Sequence, residues 1–343
     1  MGVSVSSFSH SVQLKLLLLA VVMAGLWYLA APARLTNEES ELWERVRAAQ
    51  LHLADWGESR GLAAPNGSDP WACGLIGIEW SGITTTLGEL GSKRTACNPA
   101  WAIQFSRWFR EQGLHQGDPI AIYSSSSFPG LLLNALAAAE ALELEPLVIV
   151  SLGASTWGAN RLDAPWPVLA AELRRGGFIS KRADYYTMGG DEELGNGMSP
   201  EGQALLRKAA ADAGVELLAA ANLEEMVALK SELLQRGQAQ LLVNIGGSHA
   251  NLGDDPEILK LQPGLNSGDG SGKAGNGVIA YALGQGIPVL HMLNIKTLGG
   301  KAGIPYDSEP RQRAPVEVSP WWSLAGVLLF LSVLLTHKRW RLE

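Results

Sequence analysis

Between residues 75 and 293, short apolar runs alternate with amphipathic stretches of helical period. The runs at 75–80, 119–123, 147–152, 241–245 and 288–293 are aliphatic or β-branched on both faces and bounded by Gly, Ser or Pro. That is the form of parallel strands covered on both sides. The helical stretches between them are well punctuated. Asn98 and Pro99 supply a cap and a first-turn proline, with Gly113 as the stop. Ser199, Pro200 and Glu201 with Gly214 repeat the device, and a third helix opens at Asn222 and Glu225 and ends near Arg236-Gly237. Strand, helix, strand in repetition predicts an α/β fold, a doubly wound and mostly parallel sheet flanked by helices.

The pattern changes at both ends. Residues 16–33 carry no charge, and their apolar part is hydrophobic on every helical face over about the length needed to cross a bilayer. Either this is an uncleaved anchor, or it is a signal peptide with Lys15 closing its basic start and Ala31-Pro32-Ala33 as its cleavage triplet, where the proline argues for the anchor. Residues 318–336 form a second apolar stretch, with Trp321 and Trp322 at one edge and Lys338, Arg339 and Arg341 just beyond, an aromatic belt followed by a positive-inside signal. The expectation is therefore one transmembrane helix at each terminus: an anchor at 1–33, an extracytoplasmic α/β domain at 34–317, a second transmembrane helix at 318–337 and a basic tail at 338–343. Both termini are then cytoplasmic and the lipid bilayer of the cytoplasmic (inner) membrane is a partner, although Arg311 and Arg313 before the second stretch blunt the charge bias.

Composition excludes several classes. At 343 residues, 47% hydrophobic and 18% charged, the chain is too apolar to be disordered. With 34 acidic and 27 basic residues its net charge is -7, which argues against nucleic acid as a partner, because phosphate neutralisation needs clustered Lys and Arg. Any anionic ligand must be held by a local site. Cys73 and Cys97 are the two cysteines, either bridged or two buried thiols, and they offer no metal-site spacing. No metal and no cofactor is expected.

In a doubly wound sheet the ligand crevice lies beyond the carboxyl ends of the strands. Four segments in that position are rich in small and hydroxyl residues. They are Thr84, Thr85 and Thr86, running on to Lys93 and Arg94; Ser124, Ser125, Ser126 and Ser127; Gly153 and Ser155; and Gly246, Gly247, Ser248, His249 and Asn251. Small residues let a ligand approach the backbone, and hydroxyls and helix-starting N–H groups are donors suited to carboxylate or phosphate. The same residues are ordinary turn and cap formers, so only their recurrence in four loops points to an anion-accepting cleft. Lys93 and Arg94 either counter a carboxylate or form a solvated basic pair. Glu79, inside an apolar run, is a candidate general base if it is not solvent-facing on an edge, and His249 is the best placed imidazole for catalysis. Asp191 either caps a helix or acts chemically. The G-x-G-x-x-G spelling at 270–275 has no strand before it and fails as a dinucleotide fingerprint; it is also one residue short of a P-loop, and no G-x-S-x-G elbow is present.

The run from Ile76 through Glu79, Trp80 and Thr84 to Gly88, the triplet Lys93-Arg94-Thr95, the run from Ser151 through Ser155 and Trp157 to Asn160, and Asn244-Ile245-Gly246-Gly247 resemble those of the poly-gamma-glutamate system protein family. The resemblance covers most of the chain between the two terminal stretches. It implies a place in the membrane machinery that makes and exports γ-linked polyglutamate, with poly-gamma-glutamate or γ-glutamyl oligomers and the synthase or exporter subunits as partners. Two functions follow. One is a membrane-anchored accessory whose ectodomain binds the carboxylate-rich polymer or those subunits. The other is an enzyme that hydrolyses or transfers γ-glutamyl amide bonds, with Glu79 or His249 as base and a loop Ser or Thr as nucleophile. A Ser or Thr oxygen within hydrogen-bonding reach of either base separates the two.

Overall fold

Thr36 accepts a hydrogen bond from the Glu39 backbone N–H at 3.2 Å, and the Glu39 carboxylate accepts from the Thr36 N–H at 3.0 Å. This reciprocal cap starts the long helix α1 (Asn37–Ser59). In the computed structural model, which describes residues 17, 19–26, 35–267, 274–313 and 320–337, the chain continues through α2 (Leu90–Ala96), α3 (Ala100–Glu111), β1 (Pro119–Ser125), α4 (Pro129–Ala141), β2 (Glu145–Ser151) and α5 (Trp166–Arg175). It then forms β3 (Tyr185–Thr187), α6 (Pro200–Asp212), β4 (Glu216–Leu217), α7 (Leu223–Arg236), β5 (Leu242–Ile245) and α8 (His249–Leu252). Beyond these come β6 (Gly264–Asn266), α9 (Val278–Gly284), β7 (Val289–Met292), α10 (Ile295–Lys301) and α11 (Pro320–His337).

The strands form a seven-stranded sheet in the order β4-β3-β2-β1-β5-β7-β6, and every pairing is parallel except that of β6 with β7. The chain winds outward from β1 through β4, returns to β5 on the other side of β1, places β6 at the far edge and comes back to set β7 between β5 and β6. The sheet is therefore doubly wound, with its switch point between β1 and β5. Alternate residues of each strand feed two cores. Ile120 and Ile122 join Val148, Val150 and Val243 under α1, α3 and α4, while Ala121 and Tyr123 join Leu242 and Val289 under α7 and α9.

Two helix starts follow the caps read from the sequence, whereas α3 begins at Ala100 with Pro99, not Asn98, in the cap position. Ser199 Oγ accepts from the Gly202 N–H at 3.0 Å to open α6, and Asn222 Oδ1 accepts from the Glu225 N–H at 2.9 Å to open α7. The run at 75–80 departs from expectation and joins no strand. It exchanges backbone hydrogen bonds with Trp157 instead: Gly77 N–H donates to Trp157 O, and Trp157 N–H donates to Ile78 O. A Cβ on Gly77 would collide with Gly158 O and Asn160 Oδ1, so the close approach of these two segments requires glycine. The segment crosses the loop after β2, and Glu79 and Trp80 are left exposed.

The expected membrane architecture is overturned. Among the described residues no helix is long and apolar enough to cross a membrane. In α11 the apolar stretch at 324–335, which Ser332 interrupts, measures roughly 18 Å at the helical rise of 1.5 Å per residue, against a hydrocarbon thickness of roughly 30 Å. Of the first expected span, residues 17 and 19–26 are described as helix; the rest of it, the cleavage triplet, the basic tail and most of the 270–275 spelling lie outside the described residues. The inner-membrane location and the cytoplasmic termini lose their basis. Residues Leu35–Pro315 form one compact unit. Within it Cys73 and Cys97 are both free and buried; contact with Cys97, followed by burial, pushes the Cys73 thiol well above its ordinary range.

Candidate active site

At the carboxyl edge of the sheet a cavity of about 570 Å³ opens beside the switch point. All four of the hydroxyl-rich loops reach it. Thr85, Thr86, Lys93, Ser125, Ser127 and Ser155 line one side, with Gly247, Ser248 and His249 opposite. The loop between β3 and α6 adds Asp191 and Glu193.

Lys93 is carried inward by α2 and is 3% exposed. Its Nζ donates to Ser127 O at 2.5 Å, lies 2.6 Å from Ser155 Oγ and stands 3.7 Å from the centroid of the Phe128 ring. Among the described residues no carboxylate pairs with it. Burial therefore pushes the ammonium down to about 7. Ser155 is fixed in turn, because its backbone N–H donates to Ser127 Oγ at 2.9 Å. A neutral amine has one lone pair, and the hydroxyl at 2.6 Å is the donor placed to use it.

His249 faces two groups of the β3–α6 loop through one atom. Its Nδ1 lies 3.0 Å from the Glu192 N–H and 2.9 Å from Asp191 Oδ1. With the proton on Nε2 the ring accepts from Glu192; with a proton on Nδ1 it donates to Asp191. Among the described residues no Ser or Thr oxygen is hydrogen-bonded to His249 or Glu79, so the two expected bases have no nucleophile.

The β3–α6 loop is anchored by Glu193. This buried carboxylate accepts from Ser151 Oγ at 2.8 Å and from Thr187 Oγ1 and Ser248 Oγ, and the buried Lys230 Nζ lies 3.7 Å away. Burial alone would raise the Glu193 carboxyl, but Lys230 and the three hydroxyls hold it below the usual carboxylate range. Glu192 and Glu193 adopt left-handed backbone conformations, at φ 55° and 65°. Each costs roughly 1–2 kcal/mol for a non-glycine residue, which the buried carboxylate network offsets.

Other expected residues lie elsewhere. Arg94, one position after Lys93, turns away: its Nε donates to Ser68 O at 2.8 Å and its guanidinium reaches Asp307 at 3.3 Å. Thr84 Oγ1 accepts from the Ser81 N–H and from Asn160 Nδ2; Ser124 and Ser126 spend their hydroxyls on Ser125 O and Ser151 O. Asn251 donates to Asn244 Oδ1 beneath the cavity floor. Gly246, at φ 81°, lets β5 end against Ser125, whose Oγ a Cβ would strike. Glu193 and Lys230 escaped the sequence analysis. The glycine-rich, acidic stretch after β3 was a signal for the first, whereas Lys230 looks like any lysine of an amphipathic helix.

No family model, curated protein or solved structure matches the chain. The chemistry of the cavity has to be argued from its own geometry: a serine hydroxyl beside a buried amine that is half neutral near pH 7, next to the start of α4 and across from an imidazole–carboxylate pair.

Proposed function

We propose that this protein is a serine acyl hydrolase or acyl transferase, with Ser155 as nucleophile and Lys93 as general base, acting on γ-glutamyl amide bonds in the poly-gamma-glutamate system. The observation that carries the reaction is the 2.6 Å approach of Lys93 Nζ to Ser155 Oγ inside the cavity. Neutral Lys93 takes the hydroxyl proton as Oγ attacks the amide carbonyl carbon, and the carbonyl oxygen becomes an oxyanion. Collapse breaks the C–N bond, and Lys93 returns its proton to the leaving amine. Water then attacks the acyl-serine for hydrolysis, or a second amine does so for transfer; Lys93 accepts that proton, the ester C–Oγ bond breaks, and Lys93 returns the proton to Ser155 Oγ. The N-terminus of α4, which begins at Pro129 just past Ser127 and Phe128, supplies a positive field favourable to the oxyanion. The substrate rests on the resemblance of the 76–88 and 151–160 segments.

Charge weighs against a clamp on many carboxylates at once, which the accessory reading requires, whereas the acyl-transfer reading needs one amide carbonyl beside Ser155. Among the described residues Lys93 is the sole Lys or Arg lining the cavity, and it is largely spent on Ser127 and Ser155, while Asp191 and Glu193 line the same walls. Incubation of the purified chain with a fluorophosphonate should give a covalent adduct on Ser155, located by peptide mass spectrometry. Release of γ-glutamyl fragments from oligomers should fall roughly 10²–10⁴-fold in Lys93→Met. A folded protein with no adduct on Ser155 would sink the reading.

A further inference from the structure

His249 and Asp191 line the same cavity as Ser155, and both are accessible, with side chains 29% and 69% exposed. The Glu192 N–H donates to His249 Nδ1 at 3.0 Å, which puts the proton of the neutral ring on Nε2. Among the described residues Nε2 has no hydrogen-bond partner, so the ring offers the cavity an unspent N–H. Protonation of the ring leaves that donor in place. Asp191 Oδ1 faces Nδ1 at 2.9 Å, and among the described residues Oδ2 has no partner. The neighbours hold this pair ready. Ser248 donates to the buried Glu193 carboxylate, and Glu192 and Glu193 take the left-handed backbone conformations that set Asp191 and the Glu192 N–H against the ring. Strain of this kind gathers at ligand clamps.

The other charges of the cavity wall are spent, Lys93 on Ser127 and Ser155, and Glu193 on Lys230 and three hydroxyls. What remains is a negative oxygen beside an N–H donor, which matches an ammonium and a carboxylate carried on one carbon. In a γ-linked glutamate chain every residue keeps its α-carboxylate. Only the amino-terminal residue keeps a free α-ammonium, because in all others that nitrogen belongs to an amide. We propose that Asp191 and His249 clamp the amino-terminal residue of a γ-glutamyl chain, the Asp191 carboxylate on its α-ammonium and the His249 Nε2–H on its α-carboxylate, so that Ser155 attacks the first γ-amide bond. This rests on the acyl-transfer reading of Ser155 and on its γ-glutamyl substrate. The required span is short, since three carbon–carbon bonds, about 4 Å, separate the α-carbon from the reacting carbonyl carbon. The loops that carry Ser155 and Asp191 touch: the Gly153 N–H donates to Met188 O at 2.8 Å, and a Cβ on Gly153 would stand 3.2 Å from Gly190 N. An internal residue brings an α-carboxylate with no ammonium to offset Asp191, and is refused. When the amide C–N bond breaks, Ser155 Oγ keeps the acyl group and the leaving nitrogen takes the proton held by Lys93. With one more proton from water that nitrogen becomes the α-ammonium of the shortened chain, which can enter the clamp in its turn.

The test gives the full chain two synthetic γ-linked glutamate pentamers, one with a free amino terminus and one N-acetylated, and follows the products by mass spectrometry. Single glutamates should leave the free pentamer in sequence, with kcat/KM at least about tenfold above that of the acetylated one, the size expected for a charged hydrogen bond. Asp191→Asn should bring that ratio toward one by slowing the free pentamer. His249→Phe should slow both pentamers, because both carry the α-carboxylate. Fluorophosphonate labelling of Ser155 reports whether each variant keeps its site. Labelled Ser155 with equal cleavage of the two pentamers by wild type, internal fragments as first products, or a ratio untouched by Asp191→Asn overturns the clamp and leaves the acyl-transfer reading standing. Cleavage of neither pentamer overturns the clamp and the γ-glutamyl substrate together, and labelling then decides separately whether Ser155 survives as the nucleophile.

Discussion

Lys93 and Arg94 are neighbours in sequence with opposite fates, because consecutive residues of a helix do not share a face. One is buried against Ser127 and Ser155 and the other reaches an exposed ion pair with Asp307. Lys93 titrates near 7, so kcat/KM should rise with pH through about 7 as the amine loses its proton, and Lys93→Arg, which cannot deprotonate, should abolish both activity and that inflection. A pH–rate profile of wild type and variant checks this. The same burial has a stability consequence. Because the folded-state value lies below the unfolded one, the unfolded chain holds more protons between about 7 and the ordinary lysine value, and stability rises with pH across that window. Lys93→Met should therefore lose catalysis without lowering Tm at pH 7, as read by calorimetry. Sequence marked this residue as a candidate and left open whether it is solvated, since burial is a property of the fold.

At the scale of elements, the extended run at 75–80 shows how local pattern and tertiary use diverge. Leu75 and Ile76 are buried as a strand's residues would be, but the backbone partners of the run are in the loop after β2. Gly77→Ala should break that exchange and cost about 1–3 kcal/mol, with activity lost at temperatures where the fold survives. Urea unfolding and a parallel assay measure the two. The strands β1, β2, β5 and β7 are legible in the sequence because each lies in a predominantly apolar run, interrupted in β5 by Asn244 and in β7 by His291. The sequence did not expose β3, β4 or β6, which have three, two and three residues and carry no period. The helix ends were readable from Ser199 and Asn222 because capping is chemistry of adjacent residues.

At the scale of the whole molecule, Glu193 and Lys230 join the two windings of the sheet, one from the loop after β3 and the other from α7. Glu193→Ala leaves a buried cation without its partner and should cost roughly 3–5 kcal/mol, whereas Glu193→Gln with Lys230→Met should recover most of that loss. Chemical denaturation of the single and double variants decides it. The Glu193 contribution is fully present above the ordinary carboxylate range and disappears as pH falls through its lowered folded value, so the double variant should lose less stability on acidification than wild type.

The amino-acid sequence alone determined the layered α/β plan, the starts of α4, α6 and α7 and the gathering of small and hydroxyl residues behind the strands, because these follow from the spacing and types of neighbouring residues. Only the tertiary structure decided which of those residues meet. It paired Lys93 with Ser155, turned Arg94 and Glu79 outward and set Glu193 against Lys230; it also left no described helix able to cross a bilayer. Proximity between distant segments and the loss of water around an ionisable group are set by packing, and packing has no local signature.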